Sequence, residues 1–142
     1  MKKVFSRITF TLILLCSVVF LCGCDEEKVK KPYLLFNSQP INQKTVYSAQ
    51  KVFSPGQTIH YVLIMPKGFK NEYLRMQIAK RADNVPHGGI SIYMSENLYV
   101  DKNKQFYIDK FVIRQPGYFI VRFFYGSNTE KPFIENVLWV KE

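Results

Sequence analysis

Apolar positions fall into two regimes along this chain. Residues 8–21 (ITFTLILLCSVVFL) form one run of 14 without a charge, preceded by Lys2, Lys3 and Arg7 and followed abruptly by Asp25. Fourteen residues suit a secretory hydrophobic region and fall short of the roughly 18 needed to cross a bilayer as a helix. After Pro32 the apolar stretches become short, and turn residues separate them.

Those stretches predict strands. Residues 33–36 (YLLF) suit a first edge strand, and 37–44, with Ser38, Pro40 and four amides, suit a loop. Residues 46–53 predict a weak strand stopped by Ser54-Pro55-Gly56. Residues 58–65 (TIHYVLIM) are apolar on both faces and predict a central strand, closed by Pro66-Lys67-Gly68. Residues 72–81 carry two signals. Leu74, Met76 and Ile78 alternate as in a strand, while Leu74 and Ile78 also stand i, i+4 as in a helix; the strand reading agrees with every neighbour. Pro86-His87-Gly88-Gly89 predicts a turn before the alternation of Ile90, Ile92 and Met94. Residues 98–100 and 105–113 flank a hairpin turn at 101–104. Gln115-Pro116-Gly117 introduces a strand over 118–125, and 133–140 closes the chain. Seven or eight short strands, rich in β-branched and aromatic residues at about ten-residue spacing, predict an all-β sandwich.

The junction Leu21-Cys22-Gly23-Cys24 resembles the lipobox of bacterial lipoproteins, with an aliphatic residue at −3, a small one at −1 and a cysteine at +1. The resemblance implies removal of residues 1–23, a diacylglycerol on the Cys24 thiol and often a third acyl chain on the new amine. Two or three buried chains hold a protein stably on a bilayer where one does not. The expected organisation is a signal peptide at 1–23, the lipidated cysteine and a charged tether at 24–32, and one domain at 33–142. Asp25 at +2 resembles the retention signal of enterobacterial lipoproteins. It ranks the outer face of the cytoplasmic membrane slightly ahead of the outer membrane.

Cysteine and charge change with that cut. Of Cys16, Cys22 and Cys24, two leave with the signal and the third becomes the anchor, so no thiol remains for a disulfide, a nucleophile or a metal. The full chain carries 20 basic and 11 acidic residues; losing Lys2, Lys3 and Arg7 leaves 17 against 11. A basic envelope protein suits anionic lipid or polyanionic surface polymers, and equally an ordinary solvated surface. Nucleic-acid motifs are absent.

A second, shorter resemblance concerns the fold. Pro116-Gly117-Tyr118-Phe119-Ile120-Val121 is similar to the entry of the penultimate strand in immunoglobulin-like and fibronectin-like sandwiches, where a glycine precedes a tyrosine corner. It implies that Tyr118 and Ile120 point inward, with the Tyr118 hydroxyl bonding back across the corner. Arg122 would then share their face and snorkel at the rim. Trp139 on the last strand is expected in the same core.

Candidate chemistry is sparse. His60 lies in an apolar strand and His87 in a Pro-Gly turn, neither with a ligand partner at a metal-binding spacing. Gly89-Ile90-Ser91 lacks the second glycine of a nucleophile elbow. Asp101-x-Asn103-x-Gln105 begins like a calcium loop, but Phe106 and Val112 occupy the positions of its glycine and glutamate. The reading is a non-enzymatic domain without metal or cofactor that binds an envelope protein or glycan. The candidate binding surface is Tyr93, Tyr99 and Tyr107 beside Lys102 and Lys104, since tyrosine with lysine or arginine suits interfaces. The same aromatics also suit plain sheet packing. The alternative function is an accessory envelope enzyme using His60 or His87 with a carboxylate.

Overall fold

The structure, a computed structural model, describes residues 31–82 and 89–142. Cys24, the lipobox and His87 lie outside these residues. Eight strands form in chain order: β1 (Tyr33–Asn37), β2 (Val52–Phe53), β3 (Thr58–Ile64), β4 (Tyr73–Arg81), β5 (Ile90–Tyr99), β6 (Phe106–Val112), β7 (Gly117–Tyr125) and β8 (Ile134–Val140). They make two sheets, one of order β1-β3-β6 and one of order β2-β8-β7-β4-β5. All pairings are antiparallel except β2 with β8. The expected all-β sandwich is the observed architecture, and residues 72–81 are strand.

The core lies between the sheets. Ile59, Tyr61 and Leu63 of β3 face Leu74, Met76 and Ile78 of β4 and Phe119, Val121 and Phe123 of β7. The period of two puts these residues on one side of each strand. Among the described residues the core runs from Leu34 to Val140. Tyr61 sits at the middle, with ring centroids 5.7 Å from Phe111, 5.8 Å from Phe123 and 6.3 Å from Tyr107.

The structure corrects the phase of β7. Phe119, Val121 and Phe123 face the core, so Tyr118 and Ile120 point outward instead. Arg122 fits this phase. An inward Tyr118 would carry Arg122 inward too, and a guanidinium in this core has no acid to pair with in its row except Glu135, which is exposed on the outer side. On the outer face Arg122 instead lies over the Phe124 ring, 5.7 Å from its centroid. Trp139 follows Tyr118 to the outer face, since the two are cross-strand partners, and is 42% exposed rather than in the core. Gly117 has φ of 145°, a backbone conformation that L side chains rarely adopt and glycine takes freely; a Cβ there would meet only the flexible end of Lys80, Cε at 2.7 Å.

Two further differences concern strand lengths. The weak strand expected at 46–53 shrinks to Val52–Phe53. The buried Asn37 side chain gathers the preceding loop, its Nδ2 donating to the carbonyls of Thr45 (2.9 Å) and Ser48 (3.1 Å). Residues 90–94 and 98–100, expected as separate segments, belong largely to one ten-residue strand, β5. Its pairing with β4 is broken by a bulge at Ile78/Ala79, where Met94 pairs Ile78 but Ile92 pairs Ala79. The extra residue, Tyr93, reverses the side-chain phase. Met94 packs on the core while Ile90 and Ile92 are turned to the exposed side.

Candidate functional site

The outer face of the five-stranded sheet can be built row by row from its register. Ile92, Ala79, Ile120 and Val137 lie side by side across β5, β4, β7 and β8. In the next row Tyr118, Trp139 and Val52 follow one another across β7, β8 and β2. Tyr118 meets Trp139 edge-on at 4.6 Å between centroids and 67° between planes. Lys141 lies over the Trp139 ring at 5.3 Å. Ile90, Ile92, Val52 and Trp139 are all exposed. The result is an apolar and aromatic face with Lys51 and Lys141 near Trp139 and with Arg81 standing in its row between Ile90 and Tyr118. Tryptophan and tyrosine beside lysine and arginine are the side chains that dominate binding energy at protein interfaces. Nothing in the local sequence distinguishes this strip, because it depends on pairings between strands far apart in the chain.

The five residues of the sequence-derived surface do not share a face. Tyr93 is turned by the bulge onto the Phe119 ring, at 5.4 Å and 74°, and its hydroxyl accepts from the Arg114 amide at 3.2 Å. Tyr107 faces inward from β6 and donates to Asp109 Oδ2 at 3.0 Å. Alternation explains both, since each stands on the core-facing side of its strand. Tyr99, Lys102 and Lys104 do gather at one end of the sandwich. There Tyr99 is exposed and meets Tyr73 edge-on at 5.4 Å, and Lys102 reaches Glu72 at 3.7 Å.

At that same end the loop ahead of β4 and the residues before β1 shape a cleft of about 330 Å³. Lys31, Lys67 and Lys70 border it, and Tyr125 and Phe133 form its aromatic wall, stacked at 4.1 Å and 20°. Lys70 lies 6.0 Å from the Tyr125 centroid. Burial raises the Tyr125 phenol above its ordinary range, so the hydroxyl stays neutral beside the lysines at physiological pH.

His60 stands on the half-buried outer side of β3, in register with Asn37 and Lys110. Its row therefore supplies an amide and an ammonium, not a carboxylate. The strongest electrostatic perturbations among the described residues lie elsewhere, on Tyr61 of β3 and Tyr107 on the inner side of β6. Asp109 points inward from this edge strand, an arrangement that discourages another chain from pairing there. Burial, then the hydrogen bond to Asp109 and the negative charges of Asp109 and Glu96, push the Tyr107 phenol up to about 12. Burial raises Tyr61 further in the same direction, with Tyr107, Asp109 and Glu96 adding to it.

These shifts have a signed consequence. An unfolded tyrosine titrates near about 10, below both folded values, so the fold favours the neutral phenols over their ionised forms. Their contribution is fully present below about pH 10 and is lost as pH climbs through about 12. Urea midpoints measured across this range are expected to hold steady to about pH 9.5 and fall steeply above it. Tyr107→Phe should blunt the fall, and an unchanged slope in that variant would refute the assignment.

The sequence matches no protein-family model and no curated protein. The outer-face strip and the lysine-bordered cleft therefore speak through their chemistry alone.

Proposed function

We propose that this chain is a lipid-anchored cell-envelope lipoprotein, and that its sandwich is a non-enzymatic module recognising another envelope protein. The lipobox residues Leu21-Cys22-Gly23-Cys24 support the anchor and the location, on the outer face of the cytoplasmic membrane or in the outer membrane. The strand order supports an immunoglobulin-like sandwich. β1-β3-β6 corresponds to strands A, B and E, and β8-β7-β4-β5 to G, F, C and C′ of that architecture.

The observation that carries the binding role is the exposed Trp139, braced by Tyr118 and paired with Val52, on a face that also exposes Ile90 and Ile92 at its β5 edge. A protein fits this surface better than a glycan, because the strip crosses five strands as a broad face rather than enclosing a sugar-sized groove. The Tyr118–Trp139 pair adds about 0.5–1.5 kcal/mol to stability, so Trp139→Ala should leave the domain folded and weaken binding instead.

Site-specific photo-crosslinking in intact cells tests the role. A photoreactive residue at Trp139 is expected to yield one discrete adduct larger than the chain, and the same residue at Lys110 on the opposite sheet none. Equal adducts from both positions, or none from Trp139, would overturn the assignment. An adduct of twice the chain's mass would replace the envelope partner with a second copy.

A further inference from the structure

The end of the sandwich where the chain enters β1 differs in its surface from the Trp139 end. Four exposed aromatics ring it: Tyr33 at the start of β1, Tyr73 and Tyr99 as a cross-strand pair, and Phe106 at the start of β6. Tyr33 and Phe106 flank Ile64 in one row of the three-stranded sheet. The connecting loops are tied together here. The Met65 amide donates to Gln105 O at 2.7 Å, Val100 N to Glu72 O at 2.8 Å and Gly126 N to Tyr73 O at 3.1 Å. Among the described residues this end carries Lys31, Lys67, Lys70, Lys102, Lys104 and Lys131 against Glu72, Asp101 and Glu130, and Lys102 already faces Glu72.

We infer that this end docks on the anionic surface of the bilayer that holds Cys24, with the aromatic ring at headgroup depth and the cleft between Lys31, Lys67 and Lys70 taking a lipid phosphate. The inference rests on the lipoprotein reading and adds an orientation and a ligand class to it. Its physical basis is position. Lys31 borders the cleft and lies seven residues after Cys24, so at about 3.3–3.6 Å per residue the cleft can never stray more than about 25 Å from the acyl anchor. Within that reach, each lysine gains from a negative leaflet only close to its surface, because the potential decays over a Debye length of about 8 Å. Tyrosine suits the boundary, with an apolar ring and a wet hydroxyl. The stacked pair Tyr125–Phe133 gives the cleft an apolar wall beside the ammonium groups, as a headgroup with its glycerol requires. Trp139 lies toward the other end of the strands. β4 alone spans nine residues, and about 3.3 Å each puts roughly 25 Å between its ends. Docking in this orientation holds the Trp139 strip clear of the bilayer and open to a partner.

The native tryptophan makes the orientation measurable. The chain from residue 24, with Cys24→Ser and an amino-terminal polyhistidine tag, is held on vesicles through a nickel-chelating lipid. The vesicles contain phosphatidylglycerol brominated high in its acyl chains. A Phe106→Trp reporter in a Trp139→Phe background is expected to be quenched strongly, while Trp139 in the otherwise unchanged chain keeps its emission. Lys67→Glu with Lys70→Glu should abolish quenching of the reporter, as should replacing the lipid by brominated phosphatidylcholine. Soluble glycerol phosphate should compete only weakly, since it brings no bilayer for the aromatics. An unquenched Phe106→Trp reporter, or equal quenching of Trp139, would overturn the docking. Because the tag replaces the acyl anchor, that failure is distinct from a failure of lipidation, which fatty-acid labelling of the full chain reads separately.

Discussion

Tyr61→Ala is expected to lower the unfolding free energy of the domain by about 3–5 kcal/mol, while Tyr61→Phe leaves it unchanged or slightly raised. The two outcomes separate the ring from its hydroxyl. The ring is fully buried at the centre of the sandwich and touches aromatics from both sheets, Phe111 and Tyr107 on β6 and Phe123 on β7. Truncation leaves a cavity between two sheets whose backbones are held apart by their other side chains, so relaxation fills little of it. The hydroxyl, by contrast, is buried without a hydrogen-bond partner in the structure. Desolvating such a group costs about 1–3 kcal/mol, and phenylalanine removes that cost at constant shape. Denaturant unfolding of the chain from residue 24 measures both variants. A loss of about 1 kcal/mol or more in Tyr61→Phe would mean that the hydroxyl contributes a real bond to the fold.

Cys24→Ala is expected to have an all-or-none effect on the address of the protein. The variant should accumulate as precursor and lose all labelling by a fatty-acid analogue. Any portion cut elsewhere in the signal should no longer remain with membranes after a carbonate wash. The magnitude follows from chain arithmetic. At roughly 0.8 kcal/mol per buried CH2, two or three acyl chains bind effectively without release, and no other segment after residue 23 offers comparable apolar area. Among the described residues no helix is long and apolar enough to cross a membrane. Labelling that survives in Cys24→Ala would remove the lipobox reading and the orientation built on it.

The strands were legible because short apolar runs bounded by Pro and Gly have few alternatives. Pro66-Lys67-Gly68 closes β3 just past Met65, the residue after its paired end at Ile64, and Gly68 takes the positive φ of 76° that such a turn favours. The ambiguous stretch at 72–81 became strand because β5 and β7 flank it on both sides, a neighbourhood no local propensity encodes. Candidate site residues fared unevenly for the same reason. Tyr99, Lys102 and Lys104 come together because they share one short connection. Tyr93 and Tyr107 were separated from them by the bulge in β5 and by the inward phase of β6.

Sequence by itself determined the lipobox-like pattern ending at Cys24, the confinement of all three cysteines to residues 1–24, the turns between strands, and the existence of two contrasting faces on β7. Tertiary structure alone decided which face of β7 met the core, so that Tyr118 and Trp139 formed an outer strip instead of a tyrosine corner. It also decided that Lys31 and the β3–β4 loop would border one cleft beside Tyr125 and Phe133. The physical reason is that alternation is a property of a single strand, whereas register and phase are set by hydrogen bonds and packing between strands far apart in the chain. In β7 the packing of Phe119, Val121 and Phe123 against the facing sheet selected between two phases that the alternating pattern left open, with Arg122 half-buried on the outer side.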